Sequence, residues 1–211
     1  MKKLESSLTN MVIVLVAVAV LTGGILAWVN KMTEKPIREQ SELTLANGIK
    51  NVMGVADLTV TANDQIQKNI GGKDYNFIIH QVSDKNGNHI GVAVESTVGG
   101  FGGDLKVLVG FGTNNEVLGY TILQTSETPG LGVKADKWFQ KDGKGNIIGR
   151  KMSVAQPLTV SKDGGDIDAI TASTITSRAF LKAINQAYAA YTTQQDVDVK
   201  SGATSRGKSH R

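Results

Sequence analysis

The hydrophobic positions of this 211-residue chain follow three patterns, one after another. An unbroken apolar block lies near the N-terminus, runs of β-branched and apolar residues separated by turns fill the middle, and helical spacing appears near the C-terminus. This order predicts an α+β protein. We expect an N-terminal single transmembrane helix followed by a domain with a mostly antiparallel sheet and flanking helices.

The apolar block is long enough to cross a membrane. No charged residue occurs between Glu5 and Lys31, which leaves 25 consecutive uncharged positions. A helix of that length extends about 37 Å, against roughly 30 Å for the hydrocarbon layer of a bilayer. We therefore assign residues 1–10 to a cytoplasmic N-terminus and residues 11–30 to a transmembrane helix.

A cleaved signal peptide is the alternative for this block. Lys2 and Lys3 form a short basic start, and Ala17-Val-Ala19 resembles a cleavage site. However, the apolar run continues to Val29, too far for a typical signal peptide, and Trp28 stands where an interfacial aromatic residue is expected. The pattern favours a retained membrane anchor.

The charge distribution indicates how the chain is oriented in the membrane, and charge and cysteine content argue against several functions. Lys2 and Lys3 favour a cytoplasmic N-terminus in the cell inner membrane and an extracytoplasmic, periplasmic domain, although Lys31, Lys35 and Arg38 act against this signal. The net charge of +4 is too weak and dispersed to predict nucleic-acid binding. The absence of cysteine excludes thiol catalysis and iron–sulfur ligation by this chain.

The soluble part divides into a stalk, one domain and a tail. Residues 31–56 are predicted to form a stalk helix, either continuous with the membrane span or broken near Pro36. Residues 57–193 form the domain, and the polar residues 194–211 are predicted to be a disordered tail. The predicted strands are a short one at Leu58–Thr61 and two hairpins, Tyr75–Val82 with Ile90–Thr97 and Leu105–Phe111 with Val117–Gln124.

Shorter elements are predicted after the second hairpin. Lys134–Gln140 is expected to form a short helix, and Met152–Val160 a possible strand interrupted by Pro157. His80 and His89 flank the first hairpin turn without metal-ligand spacing and are interpreted as surface residues.

A cluster of hydroxyl residues is the main candidate for chemistry. Asp168 is followed by Thr171, Ser173 and Thr174, and apolar residues then recur at helical spacing from Phe180. The cluster should therefore begin a helix of about four turns, whose free N–H groups favour a phosphate. An ordinary Ser/Thr N-cap would give the same spacing.

Two loops rich in glycine are the second candidate. Gly99–Gly103 places four glycines around one aromatic residue, which permits close backbone approach to a planar ligand or a flexible crossover between strands. Ser126–Gly132 contains a Pro129-Gly130 turn and a further glycine.

These motifs, in this order, resemble the FMN-binding domain family. The run from Asp168 to Thr174 is similar to the flavinylation motif D-x-x-[ST]-G-A-[ST], with Ala172-Ser173 in place of Gly-Ala. The resemblance implies that Thr174 carries FMN through a phosphoester bond and that Asp168 and Thr171 are the motif acid and first hydroxyl. The residues implied to bind the cofactor are Thr174, Thr171, Ser173, Asp168, Glu127, Thr128, Gly130, Leu131, Gly132 and Gly100.

A second match to the flavinylation motif occurs in the tail. Asp198–Thr204 contains the Gly-Ala pair that the central motif lacks. No apolar helix follows it and no strands precede it, so a flavin on Thr204 would have no fixed surroundings. The context favours Thr174 as the acceptor.

The layout of one span and one such domain is similar to the G-subunit family of Rnf ion-translocating electron-transport complexes. This resemblance implies an electron relay through FMN between ferredoxin and NAD, with other membrane subunits and a flavin transferase as partners. The chain shows no Walker loop or nucleophile elbow, so no self-contained catalytic site is expected. The alternatives are a C-type subunit of a sodium-pumping NADH:quinone reductase, or a membrane-anchored binding or scaffold protein without flavin.

Overall fold

The computed structural model describes residues 8–70 and 72–204, with side chains up to residue 192. The chain divides into two compact units, Met1–Leu45 and Ala46–Arg211. Every candidate site residue named above except Thr204 lies in the second unit, in the part with described side chains.

The first helix, α1, runs over Leu8–Met53 and contains Pro36. Of the two alternatives for the stalk, the continuous helix is therefore the one observed. The helix ends at Gly54, whose positive φ of 67° and N–H bond to the Lys50 carbonyl form a glycine C-cap. Among the described residues, α1 is the one helix that is long and apolar enough, by length and composition, to cross a membrane.

Five strands form a single antiparallel sheet in the order β1-β2-β3-β4-β5. The predicted hairpins are confirmed. The first strand is much longer than the predicted Leu58–Thr61, because its polar residues lie on a sheet edge where alternate side chains face solvent. The strands are β1 Leu58–Ile70, β2 Lys73–Asp84, β3 His89–Gly99, β4 Asp104–Gly112 and β5 Val117–Thr125.

The core lies between the sheet and helix α3, which spans Thr174–Thr204. The Phe139 and Phe180 rings stack with centroids 4.4 Å apart, and Phe111 meets Tyr188 edge-on at 5.5 Å. Because α3 begins at the hydroxyl cluster, docking its apolar face on the sheet fixes the position of that cluster.

The last turns of α1 cover part of the opposite sheet face. Ile49, Val52 and Met53 are buried there. A Cβ at Gly110 or Gly119 would lie 2.6 Å or 2.8 Å from the Val52 carbonyl oxygen, so this close approach requires glycine at both positions.

The chain between β5 and α3 is mostly irregular. A 3₁₀ turn at Gly132–Lys134 leads into the short helix α2, Ala135–Trp138, close to the predicted helix. The predicted strand at Met152–Val160 is wrong. Pro157 lacks an N–H group for a ladder, and the segment has only an isolated bridge from Val160 to Ile167.

Helix α3 is longer than predicted. It continues to Thr204, so the first part of the predicted disordered tail is helical and residues 205–211 lie outside the described residues. No proline interrupts positions 194–204, and extending an existing helix by one residue is far easier than starting one.

The interpretation of His80 as a surface residue is wrong, whereas His89 is exposed. His80 is buried between strands, with Nδ1 2.6 Å from Asn63 Oδ1 and Nε2 2.8 Å from Glu95 Oε1. Lys106 Nζ lies 2.6 Å from the other oxygen of Glu95. A buried histidine is compatible with the sheet because polar groups on neighbouring strands pair with one another.

Candidate functional site

Three separate segments meet at one end of the sheet and enclose a cavity of about 360 Å³. They are the glycine loop between β3 and β4, the loop after β5, and the start of α3. This volume lies within the range of ligand-binding cavities. The cavity is lined by Phe101, Glu127, Thr128, Leu131, Gly132, Ala172, Ser173, Thr174, Ile175 and Thr176.

Glu127 joins all three segments. Its side chain is buried, with 5% exposure, and the backbone N–H of Phe101 donates to Oε1 at 2.7 Å. The Thr176 hydroxyl donates to Oε2 at 2.9 Å. A buried carboxylate needs such donors to compensate for lost hydration, so Glu127 holds the glycine loop against the first turn of α3.

Glycines make room for this carboxylate. A Cβ on Gly100 would collide with Glu127 Oε1, and a Cβ on Gly132 would lie 2.5 Å from Oε2. Gly102 is similarly confined by the backbone carbonyl of Ser126. Glycine at positions 100 and 132 therefore permits the backbone to approach the Glu127 side chain, and Gly102 permits it to approach the backbone of Ser126.

Hydrogen bonds of the hydroxyl cluster brace the start of α3. The Ser173 hydroxyl donates to Thr176 Oγ1 at 2.8 Å, and the Ser177 hydroxyl donates to the Ser173 carbonyl at 2.9 Å. The N–H of Ile170 donates to the Ser177 hydroxyl at 2.9 Å. Thr174, the first residue of α3, is half-buried and lines the cavity.

Ala172 adopts a left-handed backbone conformation with φ of 61°. Its position corresponds to the glycine of the flavinylation motif, so the loop keeps a glycine-like turn despite the alanine. The cost of this conformation is about 1–2 kcal/mol for a residue with a Cβ.

A cation lies beside the Thr174 hydroxyl. Lys162 Nζ donates to Thr174 Oγ1 at 3.2 Å. The neighbouring Asp163 is held by Arg178 of α3 through two bonds of 2.6 Å, which lowers the pKa of the Asp163 carboxyl through hydrogen bonding and charge. This ion pair fixes the Lys162 segment against the first turns of α3.

Six of the ten predicted site residues line the cavity, and Gly100 contacts the carboxylate of one of them. Asp168 and Thr171 are exposed outside the lining, and the Asp168 backbone carbonyl accepts a bond of 2.8 Å from Trp138 Nε1. Gly130, with φ of 76°, lines a neighbouring cavity instead.

Sequence reasoning did not select several of the cavity residues. Phe101 lay within a recognised loop and Thr176 within the hydroxyl run, so their neighbours offered a signal. Lys162, which contacts Thr174 without lining the cavity, offered no signal, because in the sequence it is one of many lysines.

The residues present fit FMN. Three apolar side chains, Phe101, Leu131 and Ile175, are 68%, 40% and 53% exposed around the cavity and offer surface for a flat ring. The Thr174 hydroxyl, the start of α3 and Lys162 together suit a phosphate. Within the described part of the chain, no group of His, Asp or Glu could hold a metal ion.

Comparisons with known proteins show which family the chain resembles. Residues 100–189 match the FMN-binding domain family. The chain is 31% identical over 180 residues to the G subunit of the ion-translocating oxidoreductase complex of Shewanella baltica, covering 80% of this chain and 82% of that protein.

Two further relatives carry the same name. The G subunit of Escherichia coli is 32% identical over 176 residues, or 78% of this chain and 81% of the relative. That of Aliivibrio fischeri is 38% identical over 118 residues, or 53% of this chain and 54% of the relative. The chain therefore belongs to the family of G subunits of ion-translocating oxidoreductase complexes and contains an FMN-binding domain.

Proposed function

We propose that the chain is a membrane-anchored flavoprotein subunit that relays electrons through FMN esterified to Thr174. FMN would accept and release electrons, while the protein sets its position and surroundings. The observation that carries the proposal is the placement of Thr174 at the start of α3, within a cavity bounded by both glycine-rich loops.

The attachment step would transfer a flavin phosphate to the Thr174 hydroxyl. A bond would form between Oγ1 and the phosphorus on the flavin side of a flavin dinucleotide. The bond from that phosphorus to the bridging oxygen would break, which would release the nucleotide monophosphate. The hydroxyl proton leaves with the released nucleotide. A flavin transferase would perform this step, since no general base of the chain touches Oγ1 among the described contacts.

The chain's own residues would hold the attached group. Phe101, Leu131 and Ile175 would contact the ring, and Glu127 would keep the glycine loop and α3 together around it. Thr128 and Ser173 add polar groups to the lining, and Gly132 keeps backbone close to the cavity. Asp168, Thr171, Gly100 and Gly130 would shape the surrounding loops.

We further propose that α1 anchors the chain in the inner membrane with the domain on its extracytoplasmic side. Outside the cytoplasm, free FMN would be lost by dilution, and a phosphoester retains it without altering the ring. The other subunits would supply the ion path, because no charged residue lies within positions 6–30 of the span. The resemblance of the layout favours ferredoxin and NAD as the terminal electron carriers.

The test is a pair of variants, Thr174→Val and Thr204→Val, produced together with a flavin transferase. Intact mass and in-gel flavin fluorescence should show one FMN in the wild type, none in Thr174→Val and one in Thr204→Val. Thr204 is the matched control because it ends the second copy of the motif, and it is the last residue of α3.

Other results would change the assignment. Loss of fluorescence only in Thr204→Val would move the acceptor to the second motif, and partial loss in each would mean two flavins. A wild type without flavin, despite an active transferase, would favour the anchored scaffold.

A further inference from the structure

We propose that Lys162 is a positioning residue for the flavin phosphate, with its ammonium group pairing with the charged oxygens of the phosphoester on Thr174. This inference rests on the proposed function, because it requires esterified Thr174. It assigns the cationic part of the site to a residue outside the flavinylation motif.

Lys162 lies beside the oxygen that would be esterified. Lys162 Nζ already lies 3.2 Å from Thr174 Oγ1, the oxygen that would become part of the ester. Phosphorus is bonded directly to that oxygen, so its charged oxygens are only two bonds away from Oγ1. A small change in the flexible lysine side chain brings Nζ into contact with them.

The backbone around Lys162 holds this lysine in place. Lys162 belongs to a 3₁₀ turn, Ser161–Asp163, which ends at Gly164 with a left-handed φ of 87°. The two bonds between Asp163 and Arg178 attach this turn to α3. Since Thr174 and Arg178 are one helical turn apart, the same ion pair sets the distance from Lys162 to Thr174.

The acidic residues near Lys162 in the sequence are already paired with arginines. Asp163 contacts Arg178, and Asp166 contacts Arg150. No carboxylate within the described part of the chain lies at ion-pair distance from Lys162. Its charge is therefore available for an anion at the positive end of α3.

A phosphoester linking Thr174 to the flavin carries one negative charge at neutral pH. An ammonium group can neutralise it as a point charge while the start of α3 offers N–H groups. The phosphate end of the cofactor would then be fixed, and the ring would remain free to contact the apolar side chains of the cavity.

The test uses full-length flavinylated protein in detergent with Lys162→Gln, Lys162→Arg and the control Lys85→Gln. Lys85 is exposed in the β2–β3 turn, at the opposite end of the sheet from the glycine loop. The measurement is the ³¹P resonance of the protein-bound phosphoester at low and high salt. Thermal unfolding of each flavin-free variant checks that the fold is retained.

We expect Lys162→Gln to shift the ³¹P resonance, and Lys162→Arg and Lys85→Gln to stay near the wild-type position. High salt should move the wild-type resonance toward that of Lys162→Gln and leave the latter unchanged, because salt screens an exposed ion pair. A further supporting result would be that Lys162→Gln does not accept flavin while Lys162→Arg and Lys85→Gln do, with the same thermal unfolding in all three variants. Attachment at Thr174 would then require a positive charge at position 162.

An identical resonance and salt response in wild type and Lys162→Gln would overturn the inference while leaving the flavin site intact. Loss of flavin from both Lys162 variants with unchanged unfolding would overturn it too, because retained charge would then not suffice. Absence of flavin from wild-type Thr174, seen by mass, would instead contradict the proposed function.

Discussion

At the scale of single residues, Ala172 shows how the loop before α3 tolerates a departure from the family motif. Its φ of 61° is a conformation that glycine adopts without a steric penalty. The loop keeps this turn because the hydrogen bonds of Ser173 and Ser177 hold the adjoining backbone.

We predict that Ala172→Gly raises the free energy of unfolding by about 1 kcal/mol, because it removes the Cβ clash of the left-handed conformation. Urea unfolding of the flavin-free protein measures the change. The matched control is Gly164→Ala, where φ is 87° and no atom lies within 4 Å of the added Cβ, so a decrease is expected from the backbone alone. A destabilised Ala172→Gly would contradict the strain.

At the scale of elements, Glu127 connects parts of the chain that are distant in sequence. Its two oxygens accept bonds from residues 26 and 49 positions away. The glycine loop, the loop after β5 and the start of α3 should therefore unfold together.

We predict that Glu127→Gln lowers the free energy of unfolding by about 1.5–3 kcal/mol, since an amide cannot replace both charged acceptors. Thr176→Val should cost less when Glu127 is already replaced, so a double-mutant cycle would show a non-zero coupling energy. Additive effects in urea unfolding would mean that Glu127 does not link α3 to the loops.

The contact between α1 and the sheet gives a second prediction at this scale. Gly119→Ala would place a Cβ 2.8 Å from the Val52 carbonyl oxygen and should lower the free energy of unfolding by about 1–3 kcal/mol through overpacking. Gly99→Ala, with no atom within 4 Å of the added Cβ, is the control and should change it little. Equal unfolding midpoints would contradict the close packing.

At the scale of the whole molecule, carboxylates paired with cations should make stability depend on pH. Burial by itself would raise the pKa of the Glu95 carboxyl, but hydrogen bonds and charge from His80 and Lys106 outweigh it and lower the pKa. The pKa values of the Asp163 and Asp166 carboxyls are also lowered, by hydrogen bonds and charge from Arg178 and Arg150 respectively.

Because the pKa is lowered in the folded state, the unfolded chain binds more protons than the folded protein at pH values between the two pKa values. Glu95 therefore contributes stability that is present above its unfolded pKa of about 4.5 and lost as pH falls through the folded value. We predict a falling free energy of unfolding from neutral to acidic pH, and a flatter profile for Glu95→Gln. An unchanged profile in that variant, with the exposed Asp57→Asn as control, would contradict this role.

Several elements of this fold are determined by short stretches of sequence and could therefore be predicted from the sequence alone. The uncharged block before Lys31 predicts the apolar helix, and the runs Tyr75–Val82 and Ile90–Thr97 predict the hairpin of β2 and β3. The apolar spacing from Phe180 predicts α3. Such features depend on a residue and its near neighbours in the sequence, so they can be predicted without knowledge of the tertiary structure.

Only the tertiary structure decided how the site is assembled. Burial of Glu127, the left-handed backbone of Ala172 and the pairing of His80 with Glu95 each depend on contacts between separate elements. Lys162 lies 12 positions from Thr174 in sequence, yet the ion pair of Asp163 with Arg178 brings the two side chains together. The physical reason is that packing selects one arrangement from many sequence-compatible ones, and only there do these polar groups find compensating contacts.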